Sequence, residues 1–190
     1  MAVSLAAEKA NTAKASTTVE EFWELSRKDD FWGELVEGEV REMVAPCDEH
    51  GSIEAKLIMR LGVHVEAYKL GRVYGECGYI VSRNPDTVRE PDVSFIRTDR
   101  LPSQFSRRFS EILPDLAVEI VSPSDDYSET FRKCDMWLEA GVQEVWIVDP
   151  RRRAVTVLRN PRESITLRAG EALETSLLPG FQLPVADIFA

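Results

Sequence analysis

Three charged residues lie in apolar or strand-like surroundings, where an unpaired charge is costly. Asp92 follows a proline at the start of a predicted strand, and Glu119 interrupts the apolar run 116–121. Lys133 lies on the predicted helix that follows. Two carboxylates and an ammonium at neighbouring strand ends suit hydrolysis of a phosphodiester by a metal-activated water. The carboxylates hold a hard divalent cation, the metal lowers the pKa of a bound water, and the ammonium orients that water or offsets negative charge in the transition state.

Each of these residues also has a structural interpretation. An aspartate after a proline is common in turns, and a lysine on an amphipathic helix is usually solvated. Glu119 is hardest to explain in this way, because strand-core residues flank it on both sides. A buried Glu119–Lys133 ion pair is the main structural alternative to a metal site. In the metal-site hypothesis, Glu37 or Glu54 on an earlier element could complete the metal shell.

The segment 113–150 must position Glu119 and Lys133 relative to each other. It is predicted to form a strand over 116–121, a polar turn, a helix over about 127–140 and a second strand over 145–148. Serine and aspartate in the turn can cap the helix, and Gly141 suits the residue that ends it. The connection is long enough for a right-handed crossover between parallel strands, which would bring the helix back over the sheet.

The remaining elements are predicted from periodicity and turn residues. They are, in chain order, a mobile tail over 1–16, a helix over 19–28 capped by Thr17 or Thr18, a hairpin over 33–44 turning near 37–39, a loop over 46–51, a helix over 52–71, a strand over 72–83, a turn-rich segment over 84–90, a strand to 96, a polar loop over 97–112 with four arginines, a hairpin over 154–170 and a packed C-terminal segment.

Composition limits the classes of protein. The formal net charge of −10 argues against non-specific coating of nucleic acid, which needs a positive surface. The three cysteines form no CxxC pair, which argues against a zinc site and a disulfide framework. No run approaches the ~18 apolar residues of a membrane span, and the N-terminus does not resemble a secretory signal. We therefore expect a cytoplasmic protein with one domain over 17–190 and no membrane partner.

Several sequence segments together resemble the Uma-two family of predicted restriction endonucleases, a branch of the PD-(D/E)xK nuclease superfamily. The resemblance covers roughly residues 31–190, in the family's order. The matching segments are GELVEGEVREM, the helix start at His50, PDVSFI, PDLAVEIVSPS, the helix carrying Lys133, GVQEVWIVDP and LLPGFQLPVADIF. The VEI-SPS segment and the GV-x-E-x-W-x-VDP segment form a specific pair, whereas PDV alone is weak.

The resemblance implies a restriction-endonuclease-like α/β fold, with a central mixed sheet flanked by helices. It also implies that Asp92 and Glu119 are the superfamily's aspartate and glutamate. The usual lysine two residues after the glutamate is absent, because Val121 stands there. In this family the lysine comes instead from the following helix, which makes it Lys133, and the aromatic residue four positions later is Trp137.

Two further site residues follow from the resemblance alone. The family's early carboxylate would be Glu37, although Glu34 is near enough to compete for that role. His50 also matches a family position, where it would contact substrate, assist proton transfer or cap the helix.

The implied activity is that of a Mg²⁺-dependent DNA endonuclease, with Mn²⁺ as a possible substitute. Asp92, Glu119 and Glu37 would hold the metal, and Lys133 would position or activate the water. A homodimer is expected, because cutting both strands needs two sites. The alternatives are a binding or regulatory module that keeps the fold without useful turnover, and a hydrolase of another phosphate ester.

Overall fold

The computed structural model describes residues 16–29, 31–122, 127–160 and 163–190. Its elements are, in chain order, α1 (Val19–Ser26), β1 (Gly33–Val36), β2 (Glu39–Glu42), α2 (Asp48–Tyr68), β3 (Gly71–Gly75), β4 (Tyr79–Ser82), β5 (Thr87–Arg89), β6 (Val93–Arg97), a 3₁₀ turn (Thr98–Arg100), β7 (Leu116–Ile120), α3 (Tyr127–Glu139), β8 (Glu144–Asp149), β9 (Ala154–Asn160), β10 (Glu163–Arg168), β11 (Ala172–Leu173), β12 (Leu183–Pro184) and α4 (Val185–Ile188).

A six-stranded mixed sheet forms the centre, in the order β10-β9-β8-β7-β6-β3. Strands β7 and β8 are parallel and are joined through α3, while the other neighbouring pairs are antiparallel. Every residue of β7 and β8 is buried, as expected for strands covered on both faces. The predicted central mixed sheet flanked by helices is confirmed.

The two faces of β7 pack against different helices, because successive side chains point to opposite sides of a strand. Leu116, Val118 and Ile120 share one apolar cluster with buried residues of α2. Ala117 and Val121 share another with buried residues of α3. Glu119 lies between Ala117 and Val121 on the same face, so its carboxylate points toward α3.

A second sheet, in the order β2-β1-β5-β4, is antiparallel and packs with α1. Thr18 caps α1 through a capping box with Glu21, which confirms one of the two predicted caps. The predicted hairpin appears as β1 and β2. This second sheet forms one side of the site described below, and α3 forms the other side.

The predictions were wrong at three places in the elements that lead to the site. Helix α2 begins at Asp48, inside the segment predicted as a loop, and acidic residues in its first turn favour a helix N-terminus. The single strand predicted over 72–83 is two strands in different sheets, separated near Glu76, whose φ is +42°. The turn-rich segment before Asp92 contains a strand, β5, which pairs with both β1 and β4.

Some predicted features lie outside the described residues. These are the mobile tail, apart from Ser16, and the polar turn that was predicted to cap α3. Among the residues that are described, no helix is long and apolar enough to cross a membrane.

Candidate active site

The ammonium of Lys133 occupies the middle of a buried cluster between the two sheets. Its Nζ lies 2.9 Å from Glu119 Oε2 and 3.0 Å from Glu34 Oε1. It also donates a hydrogen bond of 2.8 Å to the carbonyl oxygen of Glu90. Helix α3 supplies this lysine because the crossover from β7 to β8 returns the helix over the face that Glu119 occupies. All three donor positions of the ammonium are therefore engaged by the protein.

Asp92 and Glu119 lie side by side on neighbouring antiparallel strands. The ladder of β6 with β7 ends at the pair Val93 and Val118, and Asp92 and Glu119 are the next residues beyond that pair. The backbone N–H of Ile120 donates a short hydrogen bond to Asp92 Oδ2. Asp92 is the most accessible of the acidic residues in the cluster, with 18% of its side chain exposed. A ligand would therefore reach the cluster from the Asp92 side.

His50 reaches the site because α2 begins earlier than predicted. Its Nε2 lies 3.1 Å from Asp92 Oδ1, and its Nδ1 lies 3.2 Å from the hydroxyl of Ser122. The imidazole is almost fully buried, and one turn of helix holds it over the ends of β6 and β7. The structure thus brings His50 together with Asp92.

The early carboxylate that meets Lys133 is Glu34. It is buried in β1, accepts a hydrogen bond of 2.6 Å from Arg89 and another of 2.8 Å from the backbone N–H of Glu90. Glu37 is exposed in the hairpin turn with a φ of +51°, and its described contact is a backbone hydrogen bond to Thr87. The structure therefore brings Glu34 into the cluster and leaves Glu37 outside it.

The signal for Glu34 was present in the sequence. Like Glu119, it is a carboxylate inside a short apolar strand, and such a carboxylate needs a cationic partner when buried. Glu54, the other alternative, is half-buried on α2. Burial raises its pKa, and the nearby negative charges of Glu76 and Asp92 raise it further.

The two glutamates that share Lys133 have pKa values that are shifted in opposite directions. Burial raises the pKa of Glu119 to about 7, and the charges of Asp92 and Glu34 oppose the stabilising effect of Lys133. Burial also acts to raise the pKa of Glu34, but Lys133 and Arg89 outweigh it, and the net shift is downward. Burial acts to lower the pKa of Lys133, and the surrounding carboxylates raise it instead. Lys133 is therefore a fixed cation beside more negative charge than it can neutralise.

This donor set fits a hard divalent cation. The carboxylates of Asp92 and Glu119 would supply oxygen ligands, and the repulsion between their charges is the kind that a cation relieves. Within the described ranges no three His, Cys, Asp or Glu side chains form a ready-made metal cluster. Mg²⁺ does not need one, since it commonly binds through one or two carboxylates and retains several waters.

Trp137 binds the second oxygen of the Glu119 carboxylate. Its indole Nε1 donates a hydrogen bond of 2.7 Å to Glu119 Oε1, and the ring packs edge-on against Tyr79. Trp137 is fully buried one turn of α3 after Lys133. One helix therefore supplies both the ammonium and the indole that fix Glu119.

The arginines of the loop before β7 divide into two groups. Arg97 and Arg100 bind the fully buried carboxylate of Asp115, so they anchor the loop. Arg107 and Arg108 are exposed. The second pair is accessible to a polyanion, whereas the first is committed to the fold.

Comparison with known proteins identifies the family of this chain and a solved structure with a similar fold. A family model described as "Uma2: Putative restriction endonuclease" matches residues 19–186. A crystal structure of a "putative nuclease belonging to DUF820" from Anabaena variabilis ATCC 29413 is similar with a TM-score of 0.78 and 22% sequence identity, over 90% of this chain and 97% of that chain. At this identity the structural likeness shows the shared fold. No curated protein matches the chain. Because the family model spans most of its length, this chain belongs to the Uma2 family of putative restriction endonucleases.

Proposed function

We propose that this protein is a Mg²⁺-dependent DNA endonuclease, with Mn²⁺ as a substitute. The observation that carries the proposal is the buried contact of 2.9 Å between Lys133 Nζ and Glu119 Oε2, near the negative charge of Asp92. The family description supports a nuclease, and the chemistry of the cluster supports the metal. A homodimer is part of the proposal, because cutting both strands of a duplex needs two such sites.

Each residue of the cluster has a distinct part in this chemistry. Asp92 and Glu119 would hold the cation, which when bound polarises the phosphoryl oxygen and lowers the pKa of a water. Lys133 places a fixed positive charge where the attacking water and the developing negative charge of the phosphorane would lie. Glu34 holds the ammonium in place from the opposite side, and His50 orients Asp92.

The direct test is relaxation of supercoiled plasmid with and without Mg²⁺ or Mn²⁺, together with calorimetric titration of each metal. We expect the wild type to convert the plasmid to open-circular and linear forms only with metal, and excess EDTA to stop the reaction. Asp92→Asn is expected to lose both the metal-binding heat and the cleavage, because one charged oxygen ligand is removed. Cleavage that continues unchanged in EDTA would contradict the proposal.

Replacing Trp137 by phenylalanine is expected to destabilise the fold and slow cleavage. The ring packing is retained, but Glu119 Oε1 loses its buried donor, at a cost of about 1–3 kcal/mol in the free energy of unfolding. Loss of a residue that orients a metal ligand lowers activity about 10- to 100-fold. Urea denaturation and plasmid cleavage measure the two effects.

A matched control for Trp137 is available in β8. The indole of Trp146 donates a hydrogen bond of 2.6 Å to the buried carboxylate of Glu144, away from the cluster. Trp146→Phe should lower stability in a similar way and leave the cleavage rate per folded molecule unchanged. Equal loss of cleavage in both variants would show that Trp137 is only structural.

A second candidate function is a binding module with the same fold and no turnover. The observation that favours it is that the carboxylate oxygens of the cluster already accept hydrogen bonds or ion pairs within the protein. Both oxygens of Glu119 and both of Asp92 already have a partner in the protein. A protein that binds DNA in EDTA and never cuts it with any metal would support this alternative. Cleavage of a simple phosphodiester but not of DNA would instead indicate a hydrolase of another phosphate ester.

A further inference from the structure

A cavity of about 290 Å³ opens beside the catalytic cluster, between α1 and the loop before β7. This volume is at the lower end of the range for small-molecule sites, roughly 300–1,000 Å³. Its walls include the side chains of Trp23, Trp32, Phe109, Glu76, Glu90 and Arg108. A site of this size suits one flat heterocycle.

The backbone of the cavity wall contacts the catalytic cluster directly. Lys133 Nζ donates a hydrogen bond of 2.8 Å to the carbonyl oxygen of Glu90. The backbone N–H of Glu76 donates one of 3.2 Å to the carbonyl oxygen of Asp92. Two backbone hydrogen bonds therefore tie the wall of the cavity to the cluster.

The aromatic walls are built for stacking and are held in place by packing. The rings of Phe109 and Trp23 meet edge-on, with centroids 5.2 Å apart, and Phe109 stacks on buried Phe22 at 5.5 Å. Gly78 makes this arrangement possible, because a Cβ there would lie 2.5 Å from the Phe109 ring and 3.1 Å from a Glu90 carboxylate oxygen. Every nucleobase has a π-face that can stack on such a surface.

The charged groups of the cavity add selectivity. Glu90 and Trp32 both line the cavity. A carboxylate accepts hydrogen bonds from an exocyclic amino group, such as N4 of cytosine, and has nothing to offer the carbonyl of thymine. The exposed guanidinium of Arg108 lies on the rim, where it can meet a backbone phosphate.

We propose that this cavity binds one unstacked nucleobase bearing an exocyclic amino group, from a single-stranded stretch of the DNA whose phosphodiester reaches Asp92 and Glu119. The proposal rests on the proposed nuclease function, and it specifies the substrate as DNA that is single-stranded or locally opened at the cut. Double-stranded DNA without an opened base would leave the cavity unused.

Binding can be measured without cleavage. Fluorescein-labelled oligonucleotides of about eight nucleotides, as oligo-dC, oligo-dT and an abasic strand of equal length, would be titrated with the protein in EDTA and followed by anisotropy. We expect oligo-dC to bind about tenfold more tightly than oligo-dT, and the abasic strand to bind most weakly.

Variants then assign the binding to this cavity. Trp32→Ala is expected to weaken oligo-dC binding about tenfold, with partial recovery in Trp32→Phe, which restores the ring. Glu90→Gln should remove the preference for oligo-dC, because an amide can also donate to thymine. The control is Phe105→Ala, an aromatic residue of the same loop that is 70% exposed, stacks with Arg72 and does not line this cavity.

The outcomes separate this inference from the proposed function. Equal binding of oligo-dC, oligo-dT and the abasic strand, or no effect of Trp32→Ala with the protein folded, would overturn the base site even if plasmid is cut. The expected binding pattern with no metal-dependent cleavage would instead remove the nuclease proposal and leave a single-strand-binding module. Weakening by Phe105→Ala as large as by Trp32→Ala would also contradict the base site.

Discussion

A Glu119→Gln variant is expected to cut DNA about a thousandfold more slowly than the wild type, which corresponds to the several kcal/mol that a bound metal contributes to a transition state. The substitution keeps the shape of the side chain. It removes the negative charge that would face the cation. Lys133 keeps its contact of 3.0 Å with Glu34, so we expect the fold to survive.

The best control for this variant is Glu144→Gln. Glu144 is also a buried strand glutamate that accepts from a tryptophan indole, and it pairs with Arg159 at 2.8 Å. It lies opposite Leu116 in the pairing of β7 with β8, about 10 Å along the strand from Glu119. Glu144→Gln should leave the cleavage rate unchanged. A contaminating nuclease would be equally active in both preparations, and Glu119→Gln at wild-type rate would rule out the proposed site.

A Lys133→Met variant is expected to lose both cleavage and stability. Methionine keeps most of the apolar volume of the side chain, but Glu34 and Glu119 then remain buried without their shared cation. Breaking a buried pair by removing one partner costs about 3–5 kcal/mol in the free energy of unfolding. Urea unfolding followed by tryptophan fluorescence measures this cost, and plasmid cleavage measures the loss of activity.

Two comparisons test the cause of that destabilisation. Arg159→Met removes the partner of another buried glutamate, but its side chain is 43% exposed and water can replace it, so we expect a cost below about 1 kcal/mol. Adding Glu119→Gln to Lys133→Met should restore part of the lost stability, because it removes the buried charge that lost its cation, while Glu34 keeps its ion pair of 2.6 Å with Arg89. No recovery in the double variant would show that packing, rather than charge, explains the loss.

Local patterns in the sequence predict the unit that carries Glu119 and Lys133. The apolar run around Glu119, the helical period of the next segment and Gly141 are all local signals, and together they give the strand, helix and second strand that the structure contains. The right-handed crossover then requires the helix to cover one face of the sheet. For this reason the sequence alone predicts that Lys133 approaches Glu119.

The choice between Glu34 and Glu37 needed the tertiary structure. The two residues are three positions apart near one hairpin, and a shift of one residue along a strand reverses the face on which a side chain lies. The pairing of β1 with both β2 and β5 decides that Glu34 is buried and that Glu37 lies in the turn. That pairing joins segments some fifty residues apart, which no local pattern reports.

What the sequence by itself determined is therefore the fold class, the unit containing Glu119 and Lys133, and membership of the family. Only the tertiary structure decided that Glu34 shares Lys133, that His50 reaches Asp92, and that an aromatic cavity adjoins the cluster. The physical reason is the range of the interactions. Periodicity and turn residues act over one element at a time, whereas each of these contacts depends on the register and packing of elements that are distant in the chain.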